Sequence, residues 1–158
     1  MSEMSVDTRS VYATFCDDIR FEAGNKISLI GVYDNEMLVQ NIPTLLPKLG
    51  IVVVTIAPIS KPIHRLRIEV RFEDQVLDAA EADLSPGVGE KLATHNEDGL
   101  PFRGRMNKAV FLFSPLPVTK KGVIRVHAFA DGEELLSNGL FVRQAALQSP
   151  QDPAVSKA

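Results

Sequence analysis

The 158-residue chain predicts an all-β fold, an antiparallel sandwich of about eight or nine strands. Three observations carry this. Apolar residues recur at every second position in several short runs, the period of a strand with one buried face. Glycine, proline, asparagine and aspartate punctuate these runs at spacings of about ten residues. No stretch carries the 3.6-residue apolar period of a long amphipathic helix.

Residues 1–9 are polar and read as a flexible N-terminus. From Ser10 the chain alternates, with Val11, Ala13 and Phe15 on one face and Tyr12, Thr14 and Cys16 on the other. Asp17 and Asp18 are expected to end this strand, because neither side chain suits a pleated, half-buried surface. Gly24 and Asn25, both tolerant of positive φ, supply the turn into a second strand over Lys26–Tyr33. Asp34-Asn35 makes another turn, and Met37–Gln40 reads as a short edge piece before Pro43 and Pro47.

Leu49–Ile59 is apolar on both faces. Six β-branched residues, bounded by Gly50 and Pro58, argue for a central strand over a helix. Such a strand needs cover on both sides, since an exposed segment of this kind aggregates. Arg65–Phe72 has the cleanest period: Leu66, Ile68, Val70 and Phe72 point one way, Arg65, Arg67, Glu69 and Arg71 the other. Four buried side chains at roughly 1.5–3 kcal/mol each favour this register by roughly 6–12 kcal/mol over a one-residue slip. Glu73-Asp74 turns the chain into Gln75–Leu84, the expected hairpin partner, whose alanines leave a helix open as the alternative.

Residues 85–105 form a glycine- and proline-rich connection with no period, apart from a single helical turn expected over Glu90–Thr94. Irregular connections of about twenty residues in compact domains are functional or mobile. Met106–Leu116 is the next strand. Val123–Ala130 and Leu135–Arg143 flank Asp131-Gly132, a strong hairpin signal. From Gln148 the composition is that of a disordered tail. The expected organisation is one sandwich domain over residues 10–147, with flexible residues 1–9 and a tail over 148–158. The pattern suits an immunoglobulin-like or C2-like sandwich.

Composition narrows the function classes. The formal net charge is −3 and the pI about 5.6, which offers no general attraction to a phosphate backbone, so no nucleic-acid partner is expected. The longest apolar stretch, Ile51–Ala57, is far short of the ~20 residues that span a bilayer, so no membrane insertion is expected. Cys16 is the only cysteine, and the N-terminal residues lack the apolar run of a secretory signal; both point to a cytoplasmic protein.

Candidate chemistry is sparse. Asp17 and Asp18 read as a strand terminus capping loop amides. They are also weak metal candidates, which would need Glu97 and Asp98 to complete a carboxylate shell for a hard cation. Cys16 reads as a buried structural residue. As a nucleophile it would need a depressed pKa and a base among His64, His95 and His127. Gly87–Lys91 lacks the third glycine of a dinucleotide loop and the Walker spacing, and no other cofactor motif occurs, so no cofactor is expected. Arg65, Arg67 and Arg71 form a solvated face or a site for an acidic partner, and Arg103 and Arg105 could bind an anion. The expected binding residues lie in the long connection and at its end: His95, Glu97, Asp98, Phe102, Arg103 and Arg105.

The run F-C-D-D-I-R over residues 15–20, followed by Glu22 and then K-I-S-L-I-G-V-Y over 26–33, resembles the N-terminal signature of a family of short uncharacterised bacterial and phage-associated proteins. P-T-L-L-P-K-L over residues 43–49 is similar to that family's next segment. The resemblance implies a compact β-rich domain and carries over no catalytic residue. The expectation is a non-catalytic binding or structural module acting through protein–protein contacts, with a protein partner or a homo-oligomer. The alternatives are a small enzyme centred on Cys16 or Asp17/Asp18, or a calcium-dependent C2-like ligand-binding domain.

Overall fold

The computed structural model describes residues 7–85 and 104–146. His95, Glu97, Asp98, Phe102 and Arg103, the helical turn expected over Glu90–Thr94, and the tail from Gln148 lie outside the described residues.

The described chain is all-β: β1 (Ser10–Glu22), β2 (Lys26–Val32), β3 (Glu36–Val39), β4 (Thr44–Leu46), β5 (Leu49–Pro58), β6 (Arg65–Phe72), β7 (Gln75–Asp83), β8 (Gly104–Phe113), β9 (Leu116–Val118), β10 (Gly122–Ala130) and β11 (Glu133–Gln144). A four-stranded sheet, order β2-β1-β5-β8, packs on a five-stranded sheet, order β3-β11-β10-β6-β7. β4 and β9 form a separate two-stranded ladder. The core between the sheets is built from Phe15, Ile51, Val53 and Phe111 on one side, with Ile68, Val70, Ile124, Val126 and Leu140 facing them.

Several elements form as their residues dictate. β6 buries Leu66, Ile68, Val70 and Phe72, as its alternation requires. Gln75–Asp83 is a strand and the hairpin partner of β6, not a helix. Asp131 and Gly132 take φ of 51° and 86°, both positive, as a tight two-residue hairpin with the twist of its strands demands. Gly24 and Asn25 are also left-handed, at 75° and 57°.

Three expectations are corrected. The described strands number eleven, not eight or nine, because β4 and β9 are three residues each, too short to show a period among Pro43, Pro47, Pro115 and Pro117. The pairing is not purely antiparallel, because β3 runs parallel to β11. That contact joins segments about a hundred residues apart and leaves no local trace. Asp17 and Asp18 do not end β1, which continues through both to Glu22. The physical reason lies in the pairing. β1 leaves β5 after Cys16 opposite Gly50 and continues with β2 alone. A two-stranded ribbon with open faces tolerates carboxylates that a sheet interior would not.

Candidate functional site

Each residue singled out from the sequence has a definite place. Asp17 and Asp18 are held by different partners. Tyr33 donates its hydroxyl to Asp17 Oδ1, and Asp18 Oδ1 accepts from Lys48 Nζ and from the Ile19 amide, both at 2.9 Å. The Lys48 hydrogen bond is the main reason the Asp18 carboxyl titrates below the usual carboxylate range. Burial, and then the hydrogen bond to Asp17, push the Tyr33 hydroxyl well above its ordinary value. Among the described residues, no three His, Cys, Asp or Glu side chains gather where a metal could be held.

Cys16 is fully buried. Its thiol lies 3.4 Å from the Asp18 carbonyl and 3.6 Å from that of Gly50, and burial, followed by the Asp17 charge, raises its pKa. A thiol in that setting is a weaker nucleophile at neutral pH than a free one. Arg105, expected in the irregular connection, is instead within β8 and pairs with Ala57. The ladder between β5 and β8 continues to Pro58 and Gly104 and takes Arg105 with it.

The arginine face of β6 is self-satisfied. Glu69, almost buried, accepts from Arg67 Nε and Arg71 Nε at 2.8 Å each, and Arg67 also pairs with Glu81. These hydrogen bonds, Arg67 first, hold the Glu69 carboxyl below its ordinary range. Arg71 lies 5.9 Å from the Phe129 ring centre, and His127 Nδ1 is 2.8 Å from Glu134 Oε1. The outer surface of the five-stranded sheet thus carries a network of paired arginines and carboxylates, beside which Arg125 Nε is buried without a partner among the described residues and Leu38, Val76, Leu136 and Phe141 stand exposed.

The outer surface of the four-stranded sheet is different in kind. Register places its side chains in rows: Ser10–Ile56–Met106, Tyr12–Val54–Lys108, Thr14–Val52–Val110, and Val32–Cys16–Gly50–Leu112. Lys108 is the one charged residue in these rows, and it forms no ion pair among the described residues. At one end, Ile19 folds over Gly50, where an added Cβ would lie 2.7 Å from the Ile19 side chain. This seals a small second core of Cys16, Ile19 and Val52, edged by Ile27, Leu29, Val54 and Val110. Beyond that seal no described element covers the sheet. Tyr12 is 58% exposed, Val32 56%, Met106 50% and Leu112 47%. Monomeric soluble proteins rarely expose large contiguous apolar patches, and an aromatic such as Tyr12 is a residue type enriched where proteins dock.

The sequence held part of this signal. Leu49–Ile59 reads as apolar on both faces, and a two-layer sandwich has only one interior. What the sequence could not show is that Tyr12, Met106 and Leu112 share the outer side of that strand, because their alignment depends on long-range register.

Fold and surface together define an all-β sandwich with an ion-pair network on one outer face and a largely uncharged outer face across β1, β5 and β8. The chain belongs to a family of unknown function, DUF6941, whose model matches residues 11–143. No curated protein matches it. No described helix is long and apolar enough to cross a membrane.

Proposed function

We propose that the protein is a non-catalytic binding module acting through protein–protein contacts, and that its working surface is the outer face of the β2-β1-β5-β8 sheet. One observation carries this reading: Tyr12, Val32, Met106 and Leu112 stand exposed on the same sheet face around a strand that is apolar on both sides. Ordered water against such a surface is released when a partner covers it, at about 25 cal/mol per Å2 of apolar area. The buried, high-pKa Cys16 thiol and the separately engaged Asp17 and Asp18 favour this reading over an enzyme centred on those residues or a calcium-dependent domain.

The test is hydroxyl-radical footprinting of Tyr12 and Met106, combined with the triple substitution Tyr12→Ser, Met106→Ser, Leu112→Ser. The triple variant should keep the melting temperature within a few degrees, because these side chains are not in the core, and should lose association with whatever protein protects Tyr12 and Met106 from oxidation. A triple variant that unfolds would place these residues in the structural core and sink the proposal.

A further inference from the structure

Resting on that reading, we propose that the occupant of the apolar face is a second copy of the same chain. The two molecules stack outer face to outer face about a twofold axis running along β5. The observation behind this is the one charge in the rows that cross β1, β5 and β8. Lys108 and Tyr12 occupy the same row, on opposite sides of Val54. A twofold axis along β5 exchanges the positions of β1 and β8, because those strands flank β5. It therefore sets Lys108 of each copy over Tyr12 of the other, twice, with Val54 meeting its own mate on the axis. An ammonium over a tyrosine ring is favourable, whereas the same ammonium pressed against hydrocarbon would be strongly disfavoured. A differently built apolar partner would have to bring its own group for Lys108; a second copy already has it.

The remaining rows are compatible. Ser10 falls opposite Met106 and Thr14 opposite Val110, so a short side chain meets a longer one in each case. Aligned sheets cross at about 30°. At one strand spacing from the axis, ~4.8 Å, that rotation displaces a side chain by about 2.5 Å, less than the ~6.7 Å between rows. The pairing of Lys108 with Tyr12 survives the crossing. Under this axis three strands, β1, β5 and β8, overlap; at about nine residues long the shared face is about 430 Å2 in projection, about half the ~800 Å2 per partner of a standard interface and the size of a weak, concentration-dependent dimer. Twofold dimers are the commonest homo-oligomers, and their contacts are self-complementary in this way.

The experiment is sedimentation velocity over a concentration series on the full chain, with Tyr12→Lys, the exchange Tyr12→Lys with Lys108→Tyr, and Val54→Cys. The wild type should show a concentration-dependent dimer. Tyr12→Lys, which sets two ammonium groups against each other, should raise the dissociation constant more than ~10-fold, and the exchanged double variant should recover most of it. With a short bismaleimide, which spans the ~10 Å between stacked sheets that a disulfide cannot, Val54→Cys alone should give a covalent dimer, because that residue meets its own mate on the axis, while Thr14→Cys alone should not. A dimer indifferent to Tyr12→Lys, with no crosslink at position 54, overturns the proposal. A monomer at every concentration whose Tyr12 and Met106 oxidise freely also overturns it, yet leaves the binding-module reading standing. A monomer with both residues protected means that the chain covers its own face, and both readings fall together.

Discussion

Thr55 lies at the centre of β5 with its hydroxyl fully buried and without a hydrogen-bond partner among the described residues. An unsatisfied buried hydroxyl costs about 1–3 kcal/mol, and valine has the same shape without it. Thr55→Val is therefore expected to stabilise the protein by about 1 kcal/mol, read as a higher urea midpoint at unchanged slope. Arg9 shows the opposite economy. It stands in the stretch whose composition suggested flexibility, yet its guanidinium is buried and donates to the carbonyls of Lys61, Pro62 and Ala130 and to Asp131. Asp131 in turn accepts from the backbone amides of Arg65 and His64, and these bonds, with Arg9, hold its carboxyl below the usual range. A carboxyl depressed on folding contributes stability above its unfolded pKa and loses it as pH falls through the lower, folded value. Asp131→Asn should cost about 1 kcal/mol at neutral pH and flatten the decline in stability below about pH 4, measured by denaturation at a series of pH values. An unchanged acid limb would remove Asp131 from the account.

At the scale of elements, two strands divide the labour. β6 keeps its polar face wet only because Glu69 sits between Arg67 and Arg71. Glu69→Ala leaves those guanidinium groups as neighbours with nothing between them. The expected loss is about 1–2 kcal/mol, and added salt should stabilise the variant relative to the wild type by screening the repulsion. Equal salt responses in thermal melts would contradict this. β5 has no polar face to keep wet, and the β1–β2 ribbon closes over part of its outer side. Gly50 makes that closure feasible: a methyl group there would collide with Ile19 and crowd the Cys16 sulfur. Gly50→Ala should destabilise by about 1–3 kcal/mol and make Cys16 react with a thiol reagent under native conditions, where the wild type reacts only after denaturation. Gly31 faces the same restriction, since it takes a φ of 65° with the Asp17 carboxylate lying where a side chain would be.

For the molecule as a whole, the asymmetry between the two outer faces is the property with functional weight. One sheet presents arginines and carboxylates paired around Glu69; the other presents Tyr12, Met106 and Leu112 with a single lysine among them. Solvent has no reason to prefer the second arrangement, which is what the proposed docking of a partner would relieve. That the triple serine variant keeps its melting temperature while losing association is the expectation that belongs at this scale.

Local chemistry settled much of the fold before any contact was known. Alternation at Arg65–Phe72, six β-branched residues between Gly50 and Pro58 and Asp131-Gly132 between two apolar runs each depend on neighbours in the chain, so strand, register and turn were legible there. So were the burial of Cys16 and the all-β class. The extension of β1 through Asp17 and Asp18, the parallel pairing of β3 with β11, the three-residue ladder of β4 and β9, and the capture of Arg105 by β8 were not legible. The last three follow from partner strands tens of residues away and the first from pairing with β2, the next strand in the chain, and in each the hydrogen bonds outweigh the local preference. The candidate site falls on the same divide. An apolar strand with two apolar faces announces that some surface must be covered, but only the stacking of β1, β5 and β8 in one register decides that Tyr12, Lys108 and Met106 form it.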